Sequence, residues 1–275
     1  MMHHTGKQTA PQLGHWGREW LVALFLLILP TFYAYHYSQP YYSEYVLPGE
    51  IVSLQEFGLD SSLYMTYVNS GYTYLLIDAE DILEEYGEEK VDFFELAMTP
   101  EEEEMVMMEE GEFSRLTTLE NAFSIAQELT QPIPDEAQAV YDELLHGTAE
   151  YYGDSLGLMV ALGLIEEWKG LDFSQGGRYK IAGTGTMENN HEVGSIGGMR
   201  QKIWSAEASG VDYFFIPRDK GSYYYLYEGI SNQEEAEAIV EEYGLQVELV
   251  PVANLEEALE FLEYLRGENS DAKSR

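Results

Sequence analysis

From Trp20 to Tyr37 the chain is apolar and then aromatic, without Asp, Glu, Lys or Arg, and this run is about long enough to cross a bilayer core as one helix. Pro30 falls inside it, which a membrane helix tolerates because neighbouring groups absorb the kink. From Leu47 to Leu76, as in Leu63-Tyr64-Met65-Thr66-Tyr67-Val68, apolar and polar residues alternate with the period of a strand. Asn69-Ser70-Gly71 reads as a turn there, so a small sheet is expected. Between Asp78 and Glu112 the pattern becomes acidic and mostly helical, with Glu101-Glu102-Glu103-Glu104 beside Met105-Val106-Met107-Met108. A solvated face with a core-facing stripe is the expectation for that run. Leu119 to Leu129 predicts another amphipathic helix, Pro132-Ile133-Pro134 marks a boundary, and Glu136 to Leu145 predicts a short helix.

Two further apolar helical stretches each begin beside glycines and a potentially reactive side chain. The first (Leu158, Val160, Ala161, Leu162, Leu164, Ile165) follows Gly153-Asp154-Ser155-Leu156-Gly157. The second (Ile203, Trp204, Ala206, Ala208) follows Gly197-Gly198-Met199-Arg200-Gln201-Lys202. Between them, Tyr179 to Met187 reads as a strand, Glu188-Asn189-Asn190-His191-Glu192 as a polar turn, and Val193 to Gly198 as a return.

Asp154-Ser155 before an apolar run is also what a plain helix N-cap looks like. A serine at a helix start has, besides, free backbone N–H groups beside it where an oxyanion would form. A serine hydroxyl becomes a nucleophile when a base takes its proton, and a neutral lysine can be that base. Burial in an apolar pocket, here from Met199, Ile203 and Trp204, lowers a lysine pKa because the charged form is disfavoured away from water. Gly153 and Gly157 would leave room for a substrate backbone. Leu156 would narrow the cleft, and Asp154 would oppose deprotonation by stabilising the lysine cation.

Taken in order, Gly153-Asp154-Ser155-Leu156-Gly157-Leu158, Ile181-Ala182-Gly183-Thr184-Gly185-Thr186, Val193-Gly194-Ser195-Ile196-Gly197-Gly198 and Lys202 resemble the proteolytic domain of the Lon peptidase family. The chain is most similar in these motifs to the membrane-anchored, ATP-independent Lon-like proteases of Gram-positive bacteria. Ala208 to Pro217 and Val250 to Leu259 extend the resemblance, which covers Tyr151 to about Arg266. It implies a Ser-Lys dyad of Ser155 and Lys202, with Thr184 orienting the lysine. Asp154 and Leu156 stand where relatives often carry proline and alanine or glycine. Those relatives also carry a PDZ domain and opening strands ahead of the serine, where this chain has only Asp135 to Tyr152. Either the region after Leu47 supplies replacement strands, or the chain is a degenerate or specialised relative.

The expected fold class is α/β (α+β): a Lon-type proteolytic domain at 151–267, preceded by one transmembrane helix at 20–37 and a small mixed acidic region at 38–134. Residues 1–19 form a cytoplasmic N-terminus, 135–150 a linker and 268–275 a tail. Lys7 and Arg18 precede the apolar run and the next basic residue is Lys90, which puts the N-terminus in the cytoplasm and the rest outside. A cleavable signal peptide is the competing reading, although no A-x-A-like site ends the run and its tyrosines suit an interfacial belt.

Composition narrows the partners. The 275 residues hold 50 acidic against 14 basic side chains, a net charge of −36, which would repel a phosphate backbone and excludes nucleic acid as an expected partner. The acidity reads as a solvated surface, or as recruitment of a cationic peptide substrate. Without cysteine there is neither a disulfide nor thiolate catalysis. No G-x-x-x-x-G-K-[ST] occurs, and no H-E-x-x-H spacing, so ATP, metal and other cofactors are not expected. His191 reads as an exposed turn histidine rather than a Ser-His partner. The sequence thus predicts an ATP-independent, membrane-anchored serine endopeptidase acting on extracytoplasmic peptides or unfolded proteins, with homo-oligomers left open. The alternative is a catalytically inactive Lon-like domain that binds peptide or protein at the membrane surface.

Overall fold

The computed structural model of this chain describes residues 16–218 and 230–272. The cytoplasmic segment expected at 1–19 therefore lies mostly outside the described residues, as does the end of the 268–275 tail. Helix α1 (Trp16–Tyr37) spans the apolar run, and its Glu19–Tyr37 stretch is long and apolar enough to cross a membrane, with none of it buried. It meets the rest of the protein at its C-terminal end, where the Tyr37 hydroxyl donates to Glu80 Oε1 at 2.8 Å.

The alternating segment forms β1 (Pro40–Ser53) and β2 (Tyr64–Leu75), a long antiparallel pair. Its connection is the 3-10 turn Leu54–Phe57, closed by Gly58 in a left-handed conformation at φ +87°. Asn69-Ser70-Gly71 is thus not a turn: it lies inside β2, opposite Leu47, Val46 and Tyr45. Gly71 sits there because the Tyr45 ring crosses the strand where a Cβ would stand, and such close approach is a usual reason for glycine in a strand.

After β2 come helix α2 (Leu76–Tyr86) and a short strand β3 (Asp92–Glu95) on the outer edge of β1. The two helical segments expected on either side of Glu112 are one continuous helix, α3 (Pro100–Leu129). Thr99 and Glu102 form a capping box at its start, and Pro100 occupies the first turn, where its missing N–H costs nothing. Only its C-terminal half reaches the core, through Leu119, Ala122, Phe123, Ile125 and Ala126. The core stripe expected around Met105 to Met108 is absent: four consecutive helical residues point to all sides of the helix, and no residue from 101 to 114 is buried.

Helix α4 (Ala137–Gly147) fills the segment expected as a linker, and α5 (Gly157–Lys169) follows. From Leu158 to Ile165 every apolar side chain of α5 is fully buried, so the helix is apolar all round and runs through the core. Each such Leu or Ile contributes about 1.5–3 kcal/mol relative to exposure. Gly170 in the left-handed region ends α5.

Strand β4 (Ile181–Gly183) and the hairpin β5 (Thr186–Met187) and β6 (Val193–Gly194) lead to α6 (Met199–Ala208) and β7 (Tyr213–Pro217). Helix α7 (Asn232–Tyr243), opened by a Ser231–Glu234 capping box, β8 (Glu248–Val252) and α8 (Leu255–Ala272) complete the described chain. The six-stranded sheet has the order β3-β1-β2-β4-β7-β8, antiparallel across β3, β1 and β2 and parallel from β2 to β8. It is a mixed α/β fold. The regions separated in the sequence at 135–150 share this one sheet, and one apolar core runs from Val52 through α3, α4 and α5 to Leu265.

Candidate functional site

The turn that carries Ser155 is held by main-chain hydrogen bonds on both sides. Gly153, at φ +92°, redirects the chain, and its N–H donates to Gly111 O on α3 at 3.0 Å. The Gly157 N–H donates to Asp154 O at 3.1 Å and the Leu158 N–H to Gly185 O at 3.0 Å. Gly185 returns the bond, its own N–H donating to Ser155 O at 2.9 Å. With those first-turn donors met by carbonyls, α5 starts at Gly157 without a side-chain cap, so neither Asp154 nor Ser155 acts as the N-cap. The half-buried Ser155 hydroxyl is not committed to the helix. Among the described residues the N–H groups of Ser155 and Leu156 make no hydrogen bond, which leaves two donors beside that hydroxyl at the positive end of α5.

Two supporting residues differ from expectation. Gly157 is a packing glycine: a Cβ there would collide with Thr118 Oγ1 and lie 2.7 Å from Met187 N, so it offers a substrate no room. Gly153 does face open space. Leu156 joins the apolar core rather than narrowing a cleft, since at the entry of a buried helix an apolar side chain gains more by turning inward.

Lys202 lies at the end of the first turn of α6, whose start is set by Gly198 in the left-handed region, and its N–H donates to Gly198 O at 3.1 Å. Only 3 % of Lys202 is exposed. Met199 and Ile203 beside it are fully buried, whereas Trp204 turns outward, its indole donating to Glu89 O and its ring meeting Tyr243. Burial pushes the Lys202 amine down to about 7, against the Asp154 carboxylate, which acts to raise it. Burial likewise holds the Asp154 carboxyl above its ordinary value, with Glu188 adding to the rise and Lys202 opposing it.

The two motifs meet at Thr184. Lys202 Nζ donates to Thr184 Oγ1 at 3.2 Å, and Thr184 Oγ1 donates to Ser155 O at 3.2 Å. Thr184 itself is fixed at the end of β4 by its N–H bond to Phe215 O at 2.9 Å. The amine and the Ser155 carbonyl are thus two hydrogen bonds apart; among the described residues no hydrogen bond joins the Ser155 hydroxyl directly to Lys202. Two surface concavities lie elsewhere, one beside Arg218, Val252, Glu257 and Tyr264 and one along α3, and neither is lined by Ser155 or Lys202.

His191 is engaged away from the serine. In the left-handed region at φ +70°, it contacts Glu256 Oε1 through Nδ1 at 2.6 Å and Glu128 Oε2 through Nε2 at 3.6 Å. Among the described residues no group of His, Asp and Glu is placed to hold a metal ion.

No known protein family matches this chain by sequence profile, and no curated protein matches it.

Residues from outside the motifs hold the site together. On α3, Thr118 Oγ1 accepts the Met187 N–H at 2.8 Å and Asn121 Nδ2 donates to Met187 O at 2.8 Å, so α3 grips β5 beside Gly157. Glu188 Oε1 accepts from Thr186 Oγ1 at 2.7 Å and places a second carboxylate near Asp154. Nothing in the acidic pattern of α3 announces Thr118 or Asn121, because their partners are main-chain atoms far away in sequence. The arrangement as a whole holds a poorly charged amine, a free serine hydroxyl and two unengaged N–H donors in one region, which is the inventory of acyl transfer.

Proposed function

We propose that the chain is an ATP-independent serine endopeptidase of Lon type, anchored by α1 with the remainder outside the cytoplasm. Ser155 is the nucleophile and Lys202 the general base. The observation that supports this best is the buried Lys202 amine hydrogen-bonded to Thr184, whose hydroxyl in turn bonds the Ser155 main chain. An amine near pH 7 in proton affinity is neutral often enough to accept a hydroxyl proton and, once charged, acidic enough to give it back. Ser155 Oγ attacks a peptide carbonyl while its proton passes to Lys202. The Ser155 and Leu156 N–H groups face the developing oxyanion. Lys202 then protonates the leaving amine, and water, deprotonated by the same lysine, hydrolyses the acyl ester. The reading requires the Ser155 and Lys202 side chains to come into contact when substrate binds, as apo catalytic hydrogen bonds are often long.

The same missing contact favours a second reading, a non-catalytic module that binds peptide or protein at the membrane surface. The two separate in one assay. Purified full-length protein in detergent is incubated, without ATP, with an unfolded reporter protein beside Ser155→Ala and Lys202→Met variants. The peptidase reading expects cleavage by the parent chain and its loss in both variants, of order 10³-fold or more. Equal inactivity of three folded proteins leaves the binding module.

A further inference from the structure

The exposed half of α3 touches the turn that carries Ser155. Besides the bond from Gly153 N–H to Gly111 O, the Tyr152 Cβ packs so close over Gly111 that a side chain there would lie 3.0 Å from it. Ser155 is two residues further on, so its Cα lies within about 7–8 Å of Gly153. Along this half of α3 the apolar side chains point to solvent: Phe113 is 73 % and Met105 67 % exposed, and Val106, Met107 and Met108 are exposed as well. Val106, Glu109, Glu110, Phe113 and Ser114 line a concavity of about 740 Å³. Val106, Glu109, Glu110 and Phe113, spaced three and four apart, share this side of the helix, and apolar side chains set among carboxylates around a concavity offer a binding surface.

The charge around the patch decides what binds. Glu109 and Glu110 line the concavity and Glu101, Glu102, Glu103, Glu104 and Glu112 stand on the same half of α3, while the single basic residue of α3, Arg115, is buried. A second copy of the chain carries the same −36 and is repelled, and so is an anionic bilayer. A segment with both apolar and cationic side chains satisfies both features, and methionines adapt to apolar groups of different shapes.

We propose that this side of α3 docks cationic, apolar segments of unfolded polypeptide, which makes basic, apolar peptides the substrate class. The proposal rests on the peptidase reading for its purpose, but the docking can be measured without it. The full chain carrying Ser155→Ala, in zwitterionic detergent, is titrated into a fluorescent peptide of Lys, Leu and Phe and into its counterpart with every Lys replaced by Glu. The cationic peptide binds, and the glutamate peptide binds at least about tenfold more weakly. Phe113→Ser, and separately the pair Glu109→Lys and Glu110→Lys, weaken the cationic peptide by about tenfold or more, the size expected for losing an anchor contact. These positions are unburied, so the variants keep the fold.

Equal binding of the two peptides, or binding indifferent to both variants, overturns the proposal. So does a concentration-dependent dimer, or retention on phosphatidylserine vesicles, that Phe113→Ser abolishes. With Ser155 intact, binding of the cationic peptide without cleavage supports the docking face and sinks the peptidase reading. Cleavage without charge preference does the opposite.

Discussion

Lys202 shows what a single residue costs and supplies. Its amine is charged in the unfolded chain up to about pH 10.4 but in the folded protein only up to about 7. Between those values the unfolded state binds the additional proton, so this residue's penalty on folding is greatest below about pH 7 and is relieved as pH rises toward 10.4. Two outcomes follow. On the proposed peptidase reading, kcat/KM on a peptide substrate rises with pH through about 7 to a plateau. Lys202→Met is expected to abolish that proposed activity yet to raise Tm by about a few degrees at pH 7, read by differential scanning calorimetry, because an apolar side chain fits the pocket without a charge. A fall in Tm for that variant would mean the amine is paired rather than frustrated. Gly157 carries a different cost: Gly157→Ala forces a methyl onto Thr118 and the Met187 main chain and should destabilise by roughly 1–3 kcal/mol in urea titration, despite the better helix propensity of alanine. Ser155 and Lys202 stood out as candidates by their glycine-flanked motifs, and the resemblance placed Thr184 beside Lys202, where the hydrogen bond between them is found. Gly157's role and Leu156's burial were not legible, because both depend on what packs opposite.

At the scale of elements, the β5–β6 turn is held where three segments converge. His191 on the turn contacts Glu128 at the end of α3 and Glu256 at the start of α8, while Leu255 N–H donates to His191 O at 3.0 Å. The bond to Glu256 is the main cause that raises the His191 pKa above its ordinary value, burial opposing it. A histidine pKa raised by folding stabilises fully below the unfolded value of about 6.5, and that contribution fades as pH rises through the folded value. The Tm difference between the parent chain and His191→Gln should therefore be largest between about pH 5 and 6.5 and shrink at higher pH. A constant difference would show that packing of the ring, not its charge, matters. The helices α4 and α5 and the strand–turn–return around β5 and β6 were readable from periodicity and turn residues, whereas β8 and α8 were expected only from the resemblance. The split expected in α3 and the turn expected at Asn69 are not found: a Pro-capped helix runs through changes of polarity, and β2 runs through a glycine that its neighbour requires.

For the whole molecule, a net charge of −36 on a small chain makes self-repulsion a folding term. Raising NaCl from about 0.02 to 0.5 M shortens the Debye length severalfold, so Tm should rise with salt, and a neutral osmolyte at equal osmolality should not reproduce the full gain. A flat salt response would mean that the carboxylates are compensated locally. The sequence by itself determined the apolar helix α1, the acidity, the helices α4 and α5 with the strand and turn that follow them, and the two glycine-flanked side chains, because each is written in local pattern or composition. Only the tertiary structure decided that β1 and β2 join β4 in one sheet with the rest. The same holds for α3, which reaches Met187 with its core half and leaves its methionines in solvent, and for Thr184, which links Lys202 to the Ser155 turn. Those outcomes depend on pairings across large sequence separations, where strand register, main-chain partners and the choice of buried face are settled by which surfaces fit together, and local periodicity carries no record of them.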